Sequence, residues 1–326
     1  MNQPTQPLFK MFSAVKNMLR KRNKLQEKEL QEDFLKAVFE HRGKMTIEEA
    51  KQTAEMLNTA PENIAAVVGA LVFNGELTAG EYIELTEEGR KHALKIIRAH
   101  RIYEQYLAEH SGYAPPEWHE RAHRMEHRIS DDERERIASL LGNPLFDPHG
   151  DPIPTHSLEM IDKAPVGQPL KVQSWWKITH VEDDNLTLFA RIADTGITKD
   201  SIIFITHIDN VSFAFRYEGE RFVLPVVALS AINMEPISET EASKQPGTRA
   251  RRLVNLESGK TVRIVGLSPS CRGALRRRLM DLGFVRGSTV GIDMRSPMGN
   301  PIAYTVRGTA IALRHDQAKY ILYQEL

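Results

Sequence analysis

Residues 117–133, EWHERAHRMEHRISDDE, carry the densest chemistry of this 326-residue chain. His119, His123, Glu126 and His127 stand at i, i+4, i+7 and i+8 of one predicted helix. At about 100° per residue they share a stripe roughly 100° wide. Upstream, His100 and Glu104 form an i, i+4 pair on a preceding predicted helix, so two antiparallel helices would bring six nitrogen or oxygen donors together. Such a donor set suits Mn, Fe(II), Co, Ni or Zn. Each histidine alone reads as an ordinary surface residue, and the interleaved Arg121, Arg124 and Arg128 suit a salt-bridged helix face. The number and spacing of the donors favour a metal constellation.

The flanking sequence supplies the scaffold. Residues 87–111 predict one long helix with Ala93, Leu94, Ile97, Tyr103 and Leu107 on its buried side, broken by Gly112 and Pro115-Pro116. A shorter helix is predicted over 117–129, and a third opens at Ser130 with Glu133 in capping-box position and stops at Gly142. Their apolar surface exceeds what one small helical layer buries, which predicts a homodimer. Between Glu32 and Gly75 short helical patterns lead into LTAGEYIELTEEG (77–89), whose Gly80 turn and alternating apolar residues predict a hairpin. Helices followed by a hairpin suggest a winged helix-turn-helix. Residues 1–26 hold Lys10, Lys16, Arg20, Lys21, Arg22 and Lys24 but no acid, with Leu8, Met11, Phe12, Val15 and Leu19 at helical spacing. This basic amphipathic arm reads either as a solvated terminus or as a segment that meets anionic lipid or phosphate.

The chain changes class after GNPLFDPHGDPIP (142–154), whose four prolines mark a loop and then a boundary near residue 165. Beyond it LTLFARI (186–192), SIIFITHI (201–208), VSFAFRY (211–217) and RFVLPVV (221–227) read as strands of one small barrel or sandwich. TVRIVGL (261–267), TVGIDMR (289–295), AYTVRG (303–308) and AIALR (310–314) read as another, joined to the first by polar residues 238–250. Asp194-x-Gly196-Ile197-x-Lys199-x-Ser201 is matched by Asp281-x-Gly283-Phe284-x-Arg286-x-Ser288 at an offset of 87, which suggests a duplication and two SH3-like barrels.

Composition sets the outer limits. Lys plus Arg and Asp plus Glu each number 43, so net charge neither favours nor disfavours nucleic acid. Cys271 is the one cysteine, which excludes an internal disulfide or a thiolate cage, and no apolar stretch approaches membrane-spanning length; a cytoplasmic protein is expected. No nucleophile motif or phosphate-binding loop accompanies the histidines, so an enzyme is not expected.

ALKIIRAHRIYEQYL (93–107), HERAHRMEHRISDDERERIASLLGNPLFDPHGDPIP (119–154) and the upstream helical region resemble the iron- and manganese-dependent repressors of the diphtheria toxin repressor type over roughly residues 30–160. Residues 252–326 resemble the FeoA domain of ferrous iron transport, most clearly in GLSPSCRGALRRRLMDLGFVRGSTVGI (266–292) and RGTAIALRHDQAKYIL (307–322). The first resemblance implies a primary metal site of Asp33, His123, Glu126 and His127. It also implies an ancillary site of His100, Glu104 and His119, closed from the first barrel by Glu182 or Asn185. The implied cofactor is a divalent transition metal, Fe(II) or Mn(II). The iron-sensing type member has cysteine in place of His123 and methionine in place of Asp33, while manganese sensors place carboxylates at both, so the metal's identity does not carry over.

The expected chain is thus multidomain α+β: a basic arm (1–28), a winged helix-turn-helix-like domain (29–90), a helical metal-binding and dimerisation domain (91–160), a first SH3-like barrel (165–237) and a FeoA-like, SH3-like barrel (251–326). The resemblance implies a metal-dependent transcriptional regulator that binds duplex DNA as a homodimer. The alternative is a metal-sensing regulatory subunit of a metal or ferrous iron transporter that does not bind DNA and reaches a membrane surface through its arm. One window strains the first reading: between Lys51 and Arg90 there is no Lys or Arg, but there are Glu55, Glu62, Glu76, Glu81, Glu84, Glu87 and Glu88. The recognition helix expected there, PENIAAVVGALVF (61–73), offers base edges little beyond Glu62 and Asn63.

Overall fold

Phe34, Leu35 and Val38 are fully buried along one side of helix α1 (residues 25–40). They share a core with Ala50 and Ala54 of α2 (Ile47–Met56) and with Ile64, Val67 and Leu71 of α3 (Pro61–Phe73). A capping box starts α2: Thr46 Oγ1 accepts the Glu49 N–H, and Glu49 Oε2 accepts the Thr46 N–H at 2.7 Å. Pro61 opens α3 where a missing N–H costs nothing. Strands β1 (Lys44–Met45), β2 (Leu77–Ala79) and β3 (Ile83–Leu85) form a sheet in the order β1-β3-β2, with the expected hairpin turning at Gly80. Helix α4 (Glu87–His110) follows as expected.

The computed structural model describes residues 25–160, 170–245 and 247–326, so residues 1–24 of the basic arm lie outside the described part. Two compact units divide it. The first comprises residues up to 100 together with 123–133 and 154–160; the second comprises 101–122, 134–153 and everything from 161 onward. α4 therefore contributes to both, as do α5 (Pro115–Glu126) and α6 (Asp131–Leu140). α5 ends earlier than the sequence suggests, leaving His127 in the turn after it. Among the described residues no single helix is long and apolar enough to cross a membrane.

In the second unit, β4 (Ser174–Val181), β5 (Ile202–Ile208), β6 (Ser212–Tyr217), β7 (Glu220–Pro225) and β8 (Ile232–Ile237) form an antiparallel sheet ordered β7-β6-β5-β4-β8. LTLFARI, expected as a strand, is instead the start of helix α7 (Leu186–Thr195). Asn185 caps it, Gly196 ends it at φ 81, and Phe189 and Ile192, three apart, are its buried side. A short apolar run fits both periods, and here the caps decide. Within the polar linker, Ser238 and Glu241 form a capping box that starts α8 (Glu239–Lys244).

The last sheet repeats this path. Around α9 (Gly273–Asp281), the strands β9 (Arg251–Arg252), β10 (Thr261–Leu267), β11 (Thr289–Arg295), β12 (Ile302–Val306), β13 (Thr309–Leu313) and β14 (Ile321–Glu325) pair as β13-β12-β11-β10-β14-β9. Without β9 the order matches that of the first sheet. Both helices end at a left-handed glycine, Gly196 and Gly283, followed by buried Ile197 and Phe284. Both sheets bulge at the same places, between Ile205 and His207 against β6 and between Ile292 and Met294 against β12. The hairpins after β6 and β12 turn on Glu218-Gly219 (φ 49, 82) and Arg307-Gly308 (φ 49, 80), both left-handed pairs suited to tight hairpins.

One close approach fixes the start of α4. A Cβ on Gly89 would lie 1.9 Å from the backbone oxygen of Glu76, whereas one on Gly69, on the exposed side of α3, meets nothing within 4 Å. Gly89→Ala is expected to cost about 1–3 kcal/mol of stability, as overpacking does, and Gly69→Ala to be neutral or stabilising. Thermal denaturation of the two variants side by side decides; equal melting temperatures would refute the packing argument.

Candidate metal centre

In the first unit, α1 brings Glu32 and Asp33 to the end of α5. Asp33, His123, Glu126 and His127 each offer a ligand atom, and these atoms lie within 4.8 Å of one another. Glu126, only 5% exposed, makes a short contact with His100 Nδ1 and lies 3.5 Å from Lys36 Nζ and 3.1 Å from His123 Nδ1. Burial pushes its carboxyl upward, but the charges of His100 and Lys36 outweigh this and hold it well below the usual carboxylate range.

His127 is held at both ring nitrogens. Nδ1 meets Glu32 Oε2 at 2.7 Å, while Nε2 lies 3.1 Å from Asp33 Oδ1 and 3.5 Å from Glu126 Oε1. Yet Nε2 is buried and makes no hydrogen bond with any described residue. A nitrogen so close to two carboxylate oxygens, aligned with neither, converges with them on a common point, as donors around a cation do. The Glu32 contact at Nδ1 is the orienting carboxylate that ligating histidines commonly have. Burial lowers the ring's proton affinity, but Asp33 and Glu32 more than reverse this and raise it to about 10. Glu32, which burial alone would raise, is lowered to about 2 by His127 and His92. His92 in turn places Nδ1 2.6 Å from Glu76.

The second unit gathers another set. Glu104, His149 and Asp183 have ligand atoms within 4.8 Å of one another, and His119 Nδ1 lies 3.1 Å from Asp183 Oδ2 and 3.5 Å from Glu104 Oε1. His149 Nε2 and Asp183 Oδ2 are buried, 3.6 Å apart, and neither is hydrogen-bonded within the described residues. Asp183 and Glu104 beside it raise His119 to about 10. The turn that aims His149 is built on Asp147, whose Oδ1 accepts the N–H groups of His149, Gly150 and Asp151 at 2.9, 2.8 and 2.9 Å. Burial, with Glu104 and Asp151 nearby, pushes Asp147 up to about 6. Gly150 has φ +105, and a Cβ there would stand 2.4 Å from Thr179 O, so glycine is required.

The structure thus brings Asp33, His123, Glu126 and His127 together. Of the other three sequence candidates, Glu104 and His119 gather in the second unit, and His100, one turn before Glu104 on α4, also meets Glu126 in the first. Between Glu182 and Asn185, the residue that meets Glu104 and His119 is Asp183; Asn185 caps α7, its Oδ1 accepting the Leu188 N–H at 3.0 Å. His149 and Asp183 escape helical spacing because both sit in loops. The signal for His149 was the turn Asp147-Pro148-His149-Gly150.

Comparison with known proteins places these residues in context. Residues 86–155 match the iron dependent repressor, metal binding and dimerisation domain, and residues 251–324 match the FeoA domain. The iron-dependent repressor IdeR of Mycobacterium tuberculosis is 28% identical over 201 residues, which cover 56% of this chain and 87% of IdeR. A probable metal transport system membrane protein of Chlamydia trachomatis is 37% identical over 70 residues, 22% of this chain and 16% of that protein. A manganese-dependent transcriptional repressor solved in complex with manganese aligns with a TM-score of 0.56 at 26% identity, over 63% of this chain and 99% of its own. Residues 86–155 thus resemble the metal binding and dimerisation domain of iron dependent repressors and residues 251–324 the FeoA domain, and over most of its length the chain resembles the iron- and manganese-dependent transcriptional repressors.

Proposed function

We propose that the chain is a metal-dependent transcriptional regulator that senses Fe(II) or Mn(II) and controls metal homeostasis. The observation that carries this is the convergence of Asp33, His123, Glu126 and His127, with the buried His127 Nε2 left without a hydrogen bond. These four residues would hold the metal, and Glu104, His119, His149 and Asp183 a second ion. Bound there, a divalent ion would supply the charge that these acids now draw from protonated imidazoles. Asp33 on α1 and His123 and Glu126 on α5 would then be tied together, fixing the helices that carry a winged helix-turn-helix of α1–α3 and the β2–β3 hairpin. The two sheets fit SH3-like barrels. Exposed Leu140 and Leu145 support a homodimer formed through the helices between 87 and 141.

A second reading, a metal-sensing subunit of a metal transporter, is favoured by the surface of α3. Its exposed residues include Glu62, Asn63, Ala65, Ala66, Gly69, Val72 and Phe73, the last 90% exposed, and it carries no cation. The flanking Lys44, Lys51 and Lys91 each lie within 3.1 Å of a glutamate. Phosphate contacts need available cations.

Four outcomes follow from the first reading. Calorimetry with Mn(II) or Fe(II) should show one binding event lost in the His123→Ala, Glu126→Ala, His127→Ala triple variant; unchanged stoichiometry and affinity would sink the assignment. A His127 ring at about 10 is protonated at pH 7 and must shed its proton to ligate. Affinity should therefore rise from pH 7 toward 10, by up to about tenfold per pH unit for each proton released. Titrations in buffers of different ionisation enthalpy read those protons directly, and no proton release would contradict the coupling. Sedimentation at micromolar concentration should show a dimer, and a monomer both with and without metal would refute the dimer interface. Finally, deleting residues 1–26 should weaken metal-dependent duplex binding and flatten its salt dependence. If the intact protein instead shows no metal-dependent DNA binding at physiological salt but collects on anionic vesicles, the transporter-linked reading replaces the first.

A further inference from the structure

The second unit contains a cavity of about 450 Å³ that neither constellation uses in full. Its walls are largely apolar, with Trp118, Phe189, Ile197 and Leu275 among them. Into it the FeoA domain contributes Arg272, the residue that precedes α9. The Arg272 side chain caps no helix and makes no hydrogen bond or ion pair with any described residue. Burial pulls its proton affinity down, and Glu109, Asp147 and Asp200 oppose this only from a distance.

The other cations of the wall differ from it. Arg252 is fully engaged, with Nε on Glu218 at 3.0 Å, one terminal nitrogen on Glu220 at 3.1 Å and the other on Thr195 O at 3.0 Å. Lys319 stands 5.1 Å from the centre of the Tyr320 ring. The one acid on the wall, Asp194, is exposed and forms no ion pair with any described residue. A partly buried guanidinium with no partner among the described residues costs more than a neutral group would. Its planar fork matches one carboxylate in bidentate fashion. A multiply charged phosphate would face Asp194, whereas largely apolar walls with one guanidinium that has no partner among the described residues describe a pocket for an amphipathic small molecule.

We propose that this cavity is a second ligand site, which takes a small organic carboxylate with an apolar body and anchors it on Arg272. The site draws on none of the four residues gathered around Glu126, and of the second set only His149 lines its wall.

The test uses the full chain, with saturation-transfer NMR and calorimetry against benzoate, phenylacetate and 4-methylpentanoate, their neutral amides, and inorganic phosphate. At least one carboxylate should bind saturably and roughly tenfold or more tighter than its amide, the change expected for a charge-assisted hydrogen bond. Arg272→Met should lose that binding by a similar factor with its melting temperature and metal binding unchanged. Should Arg272→Met fail to fold, Arg272→Lys, which keeps the charge but not the fork, should still bind more weakly than the native chain. The proposal is overturned if no carboxylate in the panel binds, if an amide or phosphate binds as well, or if the folded Arg272 variant binds like the native protein.

Discussion

A carboxylate placed where water cannot reach it must be met by positive charge, and in the first unit that carboxylate is Glu126. Its partners come from three helices: His100 from α4, Lys36 from α1 and His123 from its own α5. Removing one partner of such a buried group leaves a desolvated charge, at a cost of about 3–5 kcal/mol. The relative placement of the three helices within this unit is therefore enforced electrostatically as well as by the apolar stripe of Phe34, Leu35 and Val38. The charge on His127, raised by Asp33 and Glu32, belongs to the same balance.

Much of this was legible in the sequence, for physical reasons that differ by element. α4 and the His123–Glu126–His127 cluster follow from helical spacing, which maps sequence distance directly onto a face. Strands β10 to β13 of the last sheet were read to within a residue or two because their alternation is clean and glycine turns bound them, while the short β9 and the closing β14 were not read. α7 was missed because seven mostly apolar residues satisfy either period, and the decisive caps, Asn185 and Gly196, lie outside the run. Glu32 was overshadowed by its neighbour Asp33; both face the centre because the helix end it meets presents His127 with two nitrogens to satisfy. His149 and Asp183 depend on loops brought together only by the tertiary fold, and no local pattern encodes that.

Helices α1–α3 and the β2–β3 hairpin combine an ordinary apolar core with an acidic surface. Their caps and hairpin are well formed, while Lys44, Lys51 and Lys91 at the surface each pair with a glutamate. Stability in such a domain rests on buried residues and is indifferent to what the surface recognises.

The duplicated sheets carry a hazard and its remedy. Two segments with the same strand path, bulges and hairpin turns, adjacent on one chain, present nearly interchangeable edges while the polypeptide is still emerging from the ribosome, the setting in which tandem repeats misassemble. What keeps each hairpin at home is bulk. The first core stacks Phe213, Phe215 and Phe222, where the register of the second places Ile302, Tyr304 and Ile311. A phenyl ring forced into a slot shaped for a branched aliphatic chain costs about 1–3 kcal/mol. Divergence of side-chain volume under a preserved backbone thus acts as an address label, which directs each half of the repeat to its own core.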